Sequence, residues 1–431
     1  MRILLASCGG IGCWFLLRLT REGHQCDWFE VEPEPRHKDV LKGLIPPPLK
    51  EQPKFKDYDL CIFDCTGSGE LAEEVAQFCP VLGDSLLASQ LEDDRLFGIE
   101  TMEQCGIEVP PYAQFESPEE AKPFILENPK RYVYKPFVIE GEEQACDTTY
   151  VSENAEDLLR CIDGLWEDSH NAPFLLQEVV EGTEISTEGY FDGTHFHFLN
   201  HTLEEKKFMS GGFGPNTGCS GNLVWAVSGN RLTAELQKLA PFMAKAGYRG
   251  MIDLNTIVNE NHAYGLEFTP RFGYDASASI FSLIDGDLGQ FFYEIVTAPD
   301  GGWIDHNPLP PLRARWAASE RLTVPPYPEE HADFTAGLPI KGIDIEGAWR
   351  NCYLWDAMMG SRRDGEEGLV TVGINGIVAC PISAAFTPEG AWKGLERISK
   401  GIKFPNLQCR DDLEESTMNR LAKVRELGWV D

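Results

Sequence analysis

The chain has 431 residues, 42% of them hydrophobic, and a formal net charge of -32 at pH 7. This length predicts roughly two to four domains, and the apolar content excludes a mainly disordered protein. The negative field excludes broad binding of DNA or RNA, although a local group of Lys and Arg can still bind one phosphate. Because no apolar run reaches the length of a membrane span, we expect no membrane association and a cytoplasmic location.

The thirteen cysteines are spread along the chain without the spacing of a disulfide framework. An odd number in a long chain with no evident signal peptide predicts reduced, intracellular thiols. Cys61 and Cys65 lie in an apolar run, residues 60–65, that is typical of a buried strand. They are therefore interpreted as core thiols rather than as part of a metal site.

The first hundred residues alternate short apolar strands with helical stretches. Strands are predicted over residues 2–6, 27–31, 59–64 and 81–82. Helices are predicted over 13–22, from the end of the 66–69 turn to Phe78, and over 85–105. This β-α-β order predicts a parallel, doubly wound sheet. Gly106 and the Pro110-Pro111 pair end the last of these helices.

The rest of the chain reads as strands and helices of mixed order. Strands are predicted over 131–135, 174–179, 250–258, 263–268, 313–318 and 369–373, a hairpin over 184–203, and helices over 154–166, 230–247, 389–400 and 411–427. Residues 210–221 are predicted to be a glycine-rich loop and 299–311 a linker. The expected domains are residues 1–108, 109–190, 191–310 and 311–431.

Asp253 and Glu267 lie on two predicted strands that a short polar turn joins. Neighbouring strands of a hairpin can place two carboxylates side by side, and such a pair repels unless a cation lies between them. Mg²⁺ suits this position, since it binds one or two carboxylates together with substrate phosphates. From the spacing alone, two solvated strand charges are the simpler alternative.

Lys135 ends an apolar run, where its ammonium can neutralise an ATP phosphate, although a lone lysine is more often a surface charge. Glu178 and Glu184 lie on the next strand and turn, where a carboxylate can accept hydrogen bonds from a ribose or an adenine amino group. Two glycine-rich segments, residues 9–12 and 214–221, can offer backbone N–H groups to a phosphate or carboxylate. The first lacks the full dinucleotide-binding spacing, so a tight turn, with or without a bound phosphate, is favoured there.

Taken together, these segments resemble phosphoribosylamine–glycine ligase along essentially the whole chain. Residues 214–218 (GPNTG) are similar to the family's GPNTGGMG loop, and residues 266–273 (LEFTPRFG) to its IEFNxRFGDPE segment, at the family's separation. Residues 177–184 (QEVVEGTE) look like the family's EEFLxGEE segment, which lines the adenine pocket. Residues 91–95 (LEDDR) look like its LEGSK, and Lys135 like the lysine of its VxKADG.

The resemblance implies an α/β ATP-grasp fold with an N-terminal doubly wound parallel-sheet domain, a lid domain, a central mixed sheet and a C-terminal α+β domain. It implies ATP between lid and central sheet, with Mg²⁺, or Mn²⁺, as the metal. A substrate carboxylate would become an acyl phosphate that an amine attacks, largely through positioning and charge neutralisation. In the family these substrates are glycine and phosphoribosylamine, in purine biosynthesis. A monomer or homodimer with small-molecule partners is expected.

The resemblance also implies roles for individual residues. The nucleotide-binding residues would be Arg95, Lys135, Gln177, Glu178, Val179, Val180 and Glu184. The substrate-binding residues would be Gly9, Gly10, Pro215, Asn216, Thr217, Gly218, Arg271 and Gly273, with Arg271 and Asn216 as catalytic residues. The metal ligands would be Glu267 and Thr269, to which the hairpin geometry adds Asp253.

The sequence departs from the family at several positions. Thr269 stands where the family has a metal-binding Asn, and residues 274–276 (YDA) stand where it has Asp-Pro-Glu. An acidic stretch, residues 137–144, replaces its glycine-rich lid loop. The GGREHA signature after the first strand, associated with the phosphoribosylamine end, is GGIGCW here, and Cys219 and Ser220 alter the second half of GPNTGGMG.

Three hypotheses follow from this pattern. The chain has the family's own activity, or it joins a different carboxylate to a different amine or nucleotide-like acceptor, or it is an inactive ATP-grasp fold that only binds ligands. The altered first loop and the altered Asp-Pro-Glu favour the second hypothesis. Thr269 and the acidic lid loop motivate the third.

Overall fold

A computed structural model describes most of the chain. The described residues are 1–33, 36–137, 149–299, 311–329, 335–345, 347–362 and 365–431, without the side chains of Tyr274, Ala348 and Trp349. Most of the acidic lid stretch and most of the predicted linker lie outside these residues.

The N-terminal part is a parallel α/β layer, as predicted. Its elements are β1 (Arg2–Ser7), α1 (Cys13–Arg21), β2 (Gln25–Glu30), β3 (Leu60–Phe63), α2 (Gly69–Ala76), β4 (Val81–Leu82), α3 (Leu86–Asp93) and α4 (Arg95–Gln104). The strands form a four-stranded parallel sheet in the order β2-β1-β3-β4. Strand β3 is wholly buried, which is why its sequence reads as a continuous apolar run.

The single helix predicted over residues 85–105 is wrong, because the chain forms two helices there. The Asp94 carboxylate accepts the N–H groups of Leu96 and Phe97 and so begins α4. Asp is a favoured residue at a helix start, and its local hydrogen bonds outweigh the continuing helical pattern.

A second sheet forms the lid and carries its helices on one face. Its elements are β5 (Tyr112–Phe115), α5 (Pro118–Glu127), β6 (Tyr132–Pro136), β7 (Tyr150–Val151), α6 (Ala155–Asp168) and β8 (Phe174–Glu178). The antiparallel strand order is β5-β8-β6-β7. Tyr134, Phe174 and the α6 residues Leu158 and Ile162 pack in one apolar core, which leaves the other face of the lid free to cover a cleft.

The largest layer is a nine-stranded antiparallel sheet that runs from the centre of the chain into its C-terminal part. Its first elements are β9 (Thr183–Phe191), β10 (Phe196–Met209), β11 (Phe213–Val227), α7 (Arg231–Gln237), α8 (Ala240–Ala246), β12 (Gly250–Val258), β13 (Ala263–Thr269), α9 (Tyr274–Leu283) and α10 (Leu288–Thr297). The later elements are β14 (Trp316–Glu320), β15 (Leu322–Thr323), α11 (Ala348–Asn351), β16 (Cys352–Leu354), β17 (Met358–Ser361), β18 (Glu367–Val370), β19 (Ile377–Ala385), α12 (Pro388–Gly401) and α13 (Leu413–Glu426). The strand order is β13-β12-β9-β10-β11-β14-β19-β15, and β16 also pairs with β19.

Two predictions for this region are corrected. The glycine-rich loop over residues 210–221 is largely strand β11, because its backbone pairs with β10 and the register shifts occur near its glycines. The helix over 230–247 is two helices, separated around Lys238 and Leu239. Pro241 lies in the first turn of the second helix, where a missing N–H costs no hydrogen bond.

The prediction that every cysteine is a free thiol is also wrong. Cys8 and Cys65 are joined by a disulfide across a sequence separation of 57 residues. The two residues follow β1 and β3, which are neighbours in the parallel sheet, so the fold brings together positions that no local spacing connects. Among the described residues, no helix combines the length and apolar character needed to cross a membrane.

Candidate functional site

A cleft of about 1010 Å³ lies between the lid sheet and one face of the nine-stranded sheet. Predicted site residues from six strands, one helix and the turns beside them meet in it. The predicted residues in its lining are Arg95, Lys135, Gln177, Glu178, Val179, Val180, Glu184, Asn216, Gly218, Asp253, Glu267, Thr269, Arg271 and Gly273. Those outside its lining are Gly9, Gly10, Pro215 and Thr217.

The lid end of the cleft combines apolar walls with a polar edge. Val133 and Val151 give it apolar walls, and the end of β8 gives it a polar edge. Gln177 is 1% exposed, and its Nε2 atom has no hydrogen-bond partner among the described residues, so this donor is available to a ligand. Lys130 Nζ donates to Glu178 Oε1 at 2.5 Å and fixes that carboxylate at the rim. An unpaired buried donor costs free energy that a ring nitrogen acceptor would recover.

Lys135 is the last residue but one of β6, and its side chain lines the cleft. Burial between the cleft walls lowers the pKa of Lys135 to about 8, and the cations Arg95 and Lys206 act in the same direction against the attraction of Glu267. The enclosed Lys135 side chain therefore favours an anionic ligand, because a phosphate beside it would stabilise its protonated, charged form. Arg95, at the start of α4, lines the same cleft.

Oxygen-bearing side chains cover the adjoining face of the large sheet. Asp253 pairs in register with Thr269, and Asn255 pairs with Glu267, so Asp253 and Glu267 are diagonal neighbours on one face. The Asp253 side chain is buried, and within the described part of the chain its Oδ1 atom has no hydrogen-bond partner. Burial raises the pKa of Asp253, and the nearby Glu188 and Glu204 raise it further.

Lys206 on β10 is a central cation that sequence reasoning missed. Its Nζ donates to Glu184 Oε1 at 2.7 Å and lies 3.7 Å from Glu267 Oε1. The enclosing walls of the cleft disfavour charge on both Lys206 and Glu267, but the opposite charges prevail: Glu184 and Glu267 raise the pKa of Lys206, and Lys206 lowers the pKa of Glu267. The Glu267 side chain is still 58% exposed, because the cleft above it is open.

Arg271 connects the cleft to the N-terminal part. Its Nε and an Nη donate to Glu92 Oε1 at 2.9 and 2.8 Å, and Thr66 donates to the other oxygen of Glu92. Asp275, in the segment that departs from the resemblance, forms a buried ion pair with Arg321 at 2.6 Å. Asp275 therefore stabilises the fold and does not line the cleft.

The strand that carries Asn216 and Gly218 forms one edge of the cleft. Asn216 pairs with Lys207, and both residues line the cleft. Thr217 instead donates its hydroxyl to the carbonyl of Lys206, and so supports the strand that carries that cation. Pro215 is exposed at the hairpin end.

Gly9 and Gly10 lie away from the cleft, at the carboxyl end of β1. Carboxylates of the protein already occupy the N–H groups of this turn: Gly9 donates to Glu30, while Cys8 and Gly12 donate to Asp64. Burial raises the pKa of Asp64 to about 6 against the lowering effect of these hydrogen bonds. A phosphate could use these N–H groups only by displacing two carboxylates, so the predicted anion cradle does not fit this turn.

Further lining residues come from positions that the sequence analysis did not select. They are chiefly Glu188, Glu204, Lys206, Lys207 and Arg420. Arg420 on α13 donates to the backbone carbonyls of Glu184 and Glu204 and so closes the cleft from the C-terminal side. The sequence did contain a signal for Glu188: alternate residues of a strand share one face, so positions 184, 186 and 188 of β9 were expected to face the same side as the predicted site residue Glu184.

Residues 93–277 match the family described as phosphoribosylglycinamide synthetase, ATP-grasp (A) domain. The trifunctional purine biosynthetic protein adenosine-3 of Drosophila melanogaster is 24% identical over 69% of this chain and 22% of its own length. A phosphoribosylamine–glycine ligase of Streptococcus pneumoniae is 26% identical over 52% of this chain and 56% of its own length. The chain thus spans about a fifth to about half of the length of these curated relatives.

Two solved structures share the fold at low identity. The phosphoribosylamine–glycine ligase of Thermotoga maritima superposes with a TM-score of 0.70 at 20% identity, covering 96% of this chain and 100% of that one. A biotin carboxylase from Campylobacter jejuni, solved as a β,γ-ATP complex, has a TM-score of 0.65 at 14% identity, covering 99% and 96%. The arrangement of sheets, lid and cleft described above is therefore the ATP-grasp fold.

Proposed function

Since the chain is an ATP-grasp protein related to the phosphoribosylamine–glycine ligases, we propose that it is an ATP-dependent, ADP-forming carboxylate–amine ligase. The observation that carries this proposal is the composition of one cleft. The cleft has an apolar end with a buried amide donor, three cations (Lys135, Arg95 and Lys206) and a patch of oxygen ligands. This set matches the base, the phosphates and the metal of a bound nucleotide.

Mg²⁺, or Mn²⁺, fits the oxygen patch. Asp253, Glu267 and Thr269 would hold it, and all three offer oxygen atoms of the kind that hard cations prefer. The unpartnered Oδ1 of Asp253 supports this assignment, because a buried carboxylate oxygen without a donor is compensated by a cation. When bound, the ion would neutralise phosphate charge and orient the oxygens of the nucleotide.

The residues of the cleft have distinct tasks in the reaction. Lys135, Arg95 and Lys206 would neutralise the charge that develops as the bond between the β- and γ-phosphates breaks and a substrate carboxylate oxygen takes the γ-phosphoryl group. Arg271 and Asn216 would hold the acyl phosphate. The amine nitrogen then attacks the carbonyl carbon, the carbon–oxygen bond to phosphate breaks, and the amine proton leaves with the phosphate. Catalysis would rest on positioning and charge, with no protein nucleophile.

Glycine and phosphoribosylamine are the first substrates to consider, because they are those of the named relatives. A different acceptor is the second candidate, and the turn at Gly9 favours it. Its N–H groups are bonded to Glu30 and Asp64, which repel a phosphate-bearing acceptor. The proposal also includes the setting expected from the sequence. The protein would be a soluble ligase of small molecules that acts in the cytoplasm as a monomer or homodimer.

The test is ADP release from Mg²⁺-ATP with glycine and freshly generated phosphoribosylamine, added singly and together. ADP formation that requires both assigns the family's activity. Binding of ATP without turnover on both assigns a ligase of other substrates, to be sought with a panel of carboxylates and amines. A chain that binds no ATP contradicts both ligase proposals and leaves the inactive binding fold.

A pair of variants in one hairpin tests the metal assignment. Glu267→Ala should abolish turnover and weaken Mg²⁺-dependent nucleotide binding without unfolding the chain. Glu260→Ala, in the exposed turn between the same two strands, is the matched control and should behave as the parent chain. Normal turnover in Glu267→Ala would show that the metal lies elsewhere.

A further inference from the structure

A second cavity, of about 350 Å³, lies where the N-terminal layer, the α9–α10 region and the C-terminal part of the chain meet. Four guanidinium groups line it, those of Arg18 and Arg21 on α1, Arg313 before β14, and Arg350 on α11. This arginine pocket shares no lining residue with the central cleft. In a chain with a formal net charge of -32, four arginines around one cavity form a local positive site that the composition does not predict.

Three carboxylates also line the arginine pocket, and the fold already engages two of them. Glu22 pairs with Arg18 at 2.7 Å. Asp287 lies 2.8 Å from Nε2 of His24, and its side chain begins α10. The third carboxylate, Asp285, forms no ion pair with any described residue. Of these three, Glu22 is therefore the one that neutralises a guanidinium group of the lining.

Arg313 is a guanidinium group without a carboxylate partner. Its Nε donates to the carbonyl of Ser282, and one Nη donates to the carbonyl of Arg350 at 3.4 Å. In the described part of the chain no Asp or Glu oxygen lies within ion-pair distance of it. Partial burial and the neighbouring charges of Arg18 and Arg350 lower the pKa of Arg313, against the attraction of Asp285. A bound anion would stabilise the charged form of this side chain.

The other walls of the pocket indicate which anion fits. Trp14 and Phe281, with ring centroids 5.9 Å apart, provide an apolar wall. The volume is near the lower end of the range of about 300–1,000 Å³ that small-molecule pockets have, so it suits a small ligand better than a whole nucleotide. Planar guanidinium groups match the oxygens of a phosphate, which carries a charge of about -1.5 to -2 at neutral pH.

We propose that the arginine pocket binds a phosphate group, either that of a small organic phosphate or inorganic phosphate itself. Arg313 would donate to the phosphate oxygens, and the apolar wall at Trp14 and Phe281 would contact the organic part of an ester. This site is independent of the proposed ligase function, because none of its residues lines the cleft.

Calorimetry on the full chain at fixed ionic strength, in chloride, tests the proposal with inorganic phosphate, phenyl phosphate and malonate as probes. We expect a phosphate probe to bind, and Arg313→Met to weaken this binding about tenfold or more. Arg160→Met is the matched control, since that side chain is 73% exposed on α6. Tighter binding of phenyl phosphate assigns an organic phosphate, whereas phenyl phosphate that binds no more tightly than inorganic phosphate assigns the free ion.

Lys135→Met separates the arginine pocket from the cleft, because binding in the pocket should survive that substitution. Absence of binding by both phosphate probes would overturn the proposal. So would tighter binding of malonate, or binding that is lost in Lys135→Met and kept in Arg313→Met.

Labelling of the parent chain with phenylglyoxal, followed by mass spectrometry, tests the site even if Arg313→Met does not fold. At about ten times its Kd, the phosphate probe should slow modification of Arg313 about tenfold, as occupancy alone predicts. The rate at Arg160 should not change. An equal rate at Arg313 with and without the probe would overturn the proposal.

Discussion

Removal of the Arg321 guanidinium should destabilise the protein strongly, although this residue lies outside the cleft. Arg321 Nε donates to Asp275 Oδ2 at 2.6 Å, and one of its Nη atoms donates to the Thr217 carbonyl and to the Tyr327 hydroxyl at 2.7 Å each. The side chains of the pair are 6% and 2% exposed. In Arg321→Met the Asp275 carboxylate would remain buried without its cation, which costs about 3–5 kcal/mol in comparable pairs.

Urea unfolding followed by tryptophan fluorescence measures this loss, with the free energy taken from the midpoint and slope of the transition. Asp275→Asn in the Arg321→Met background should recover part of the loss, because the double variant buries no unpaired charge. A double-mutant cycle then gives the coupling energy of the pair. A loss below about 1 kcal/mol in Arg321→Met, with an unchanged slope, would refute the reasoning, since it would mean that water or another cation compensates Asp275.

Three further predictions concern the cleft, one turn and the disulfide. Lys135→Met should weaken ATP binding about tenfold or more. In the parent chain, the affinity for ATP measured by calorimetry should fall as the pH rises through about 8, because Lys135 of the free protein loses its proton there. The variant should lack this pH dependence. Gly83→Ala should destabilise the chain by at least about 2 kcal/mol, because Gly83 has φ +111° and an added Cβ would meet a backbone carbonyl oxygen at 2.1 Å. Gly67→Ala is the control for backbone strain alone, since Gly67 has φ +92° and open space around the added Cβ. Equal shifts of the melting temperature in the two variants would contradict the clash at Gly83. Cys8→Ser should lower the unfolding free energy by about 4 kcal/mol in oxidising buffer, as loop closure over 57 residues implies; Cys65→Ser should match it, and mass spectrometry that finds both thiols free would contradict the bond.

Local sequence patterns were sufficient for much of the fold. The alternation of apolar strands and helices predicted the parallel N-terminal sheet, because each strand and each helix carries its own periodicity. The β12–β13 hairpin, with Asp253 and Glu267 on one face, was predictable for the same reason: its two strands are joined by a short turn. The motifs at residues 177–184 and 266–273 indicated two segments that both contribute to the lining of the cleft.

The sequence by itself could not fix what depends on pairing between distant segments. Strand β11 was hidden because Gly214 and Gly218 interrupt the strand pattern, and only pairing with β10 extends the backbone there. The Cys8–Cys65 bond needed the adjacency of β1 and β3.

The chemistry of the cleft divides in the same way. The sequence determined which residue types were present and indicated a nucleotide-binding fold, since a motif is a local property of the chain. Only the tertiary structure decided that Glu188 lies beside Asp253, that Lys206 bonds Glu184, and that carboxylates fill the turn at Gly9. The reason is physical: the charge and hydrogen-bonding state of a side chain depend on neighbours that strand register and burial bring to it, and neither is encoded in the spacing of residues along the chain.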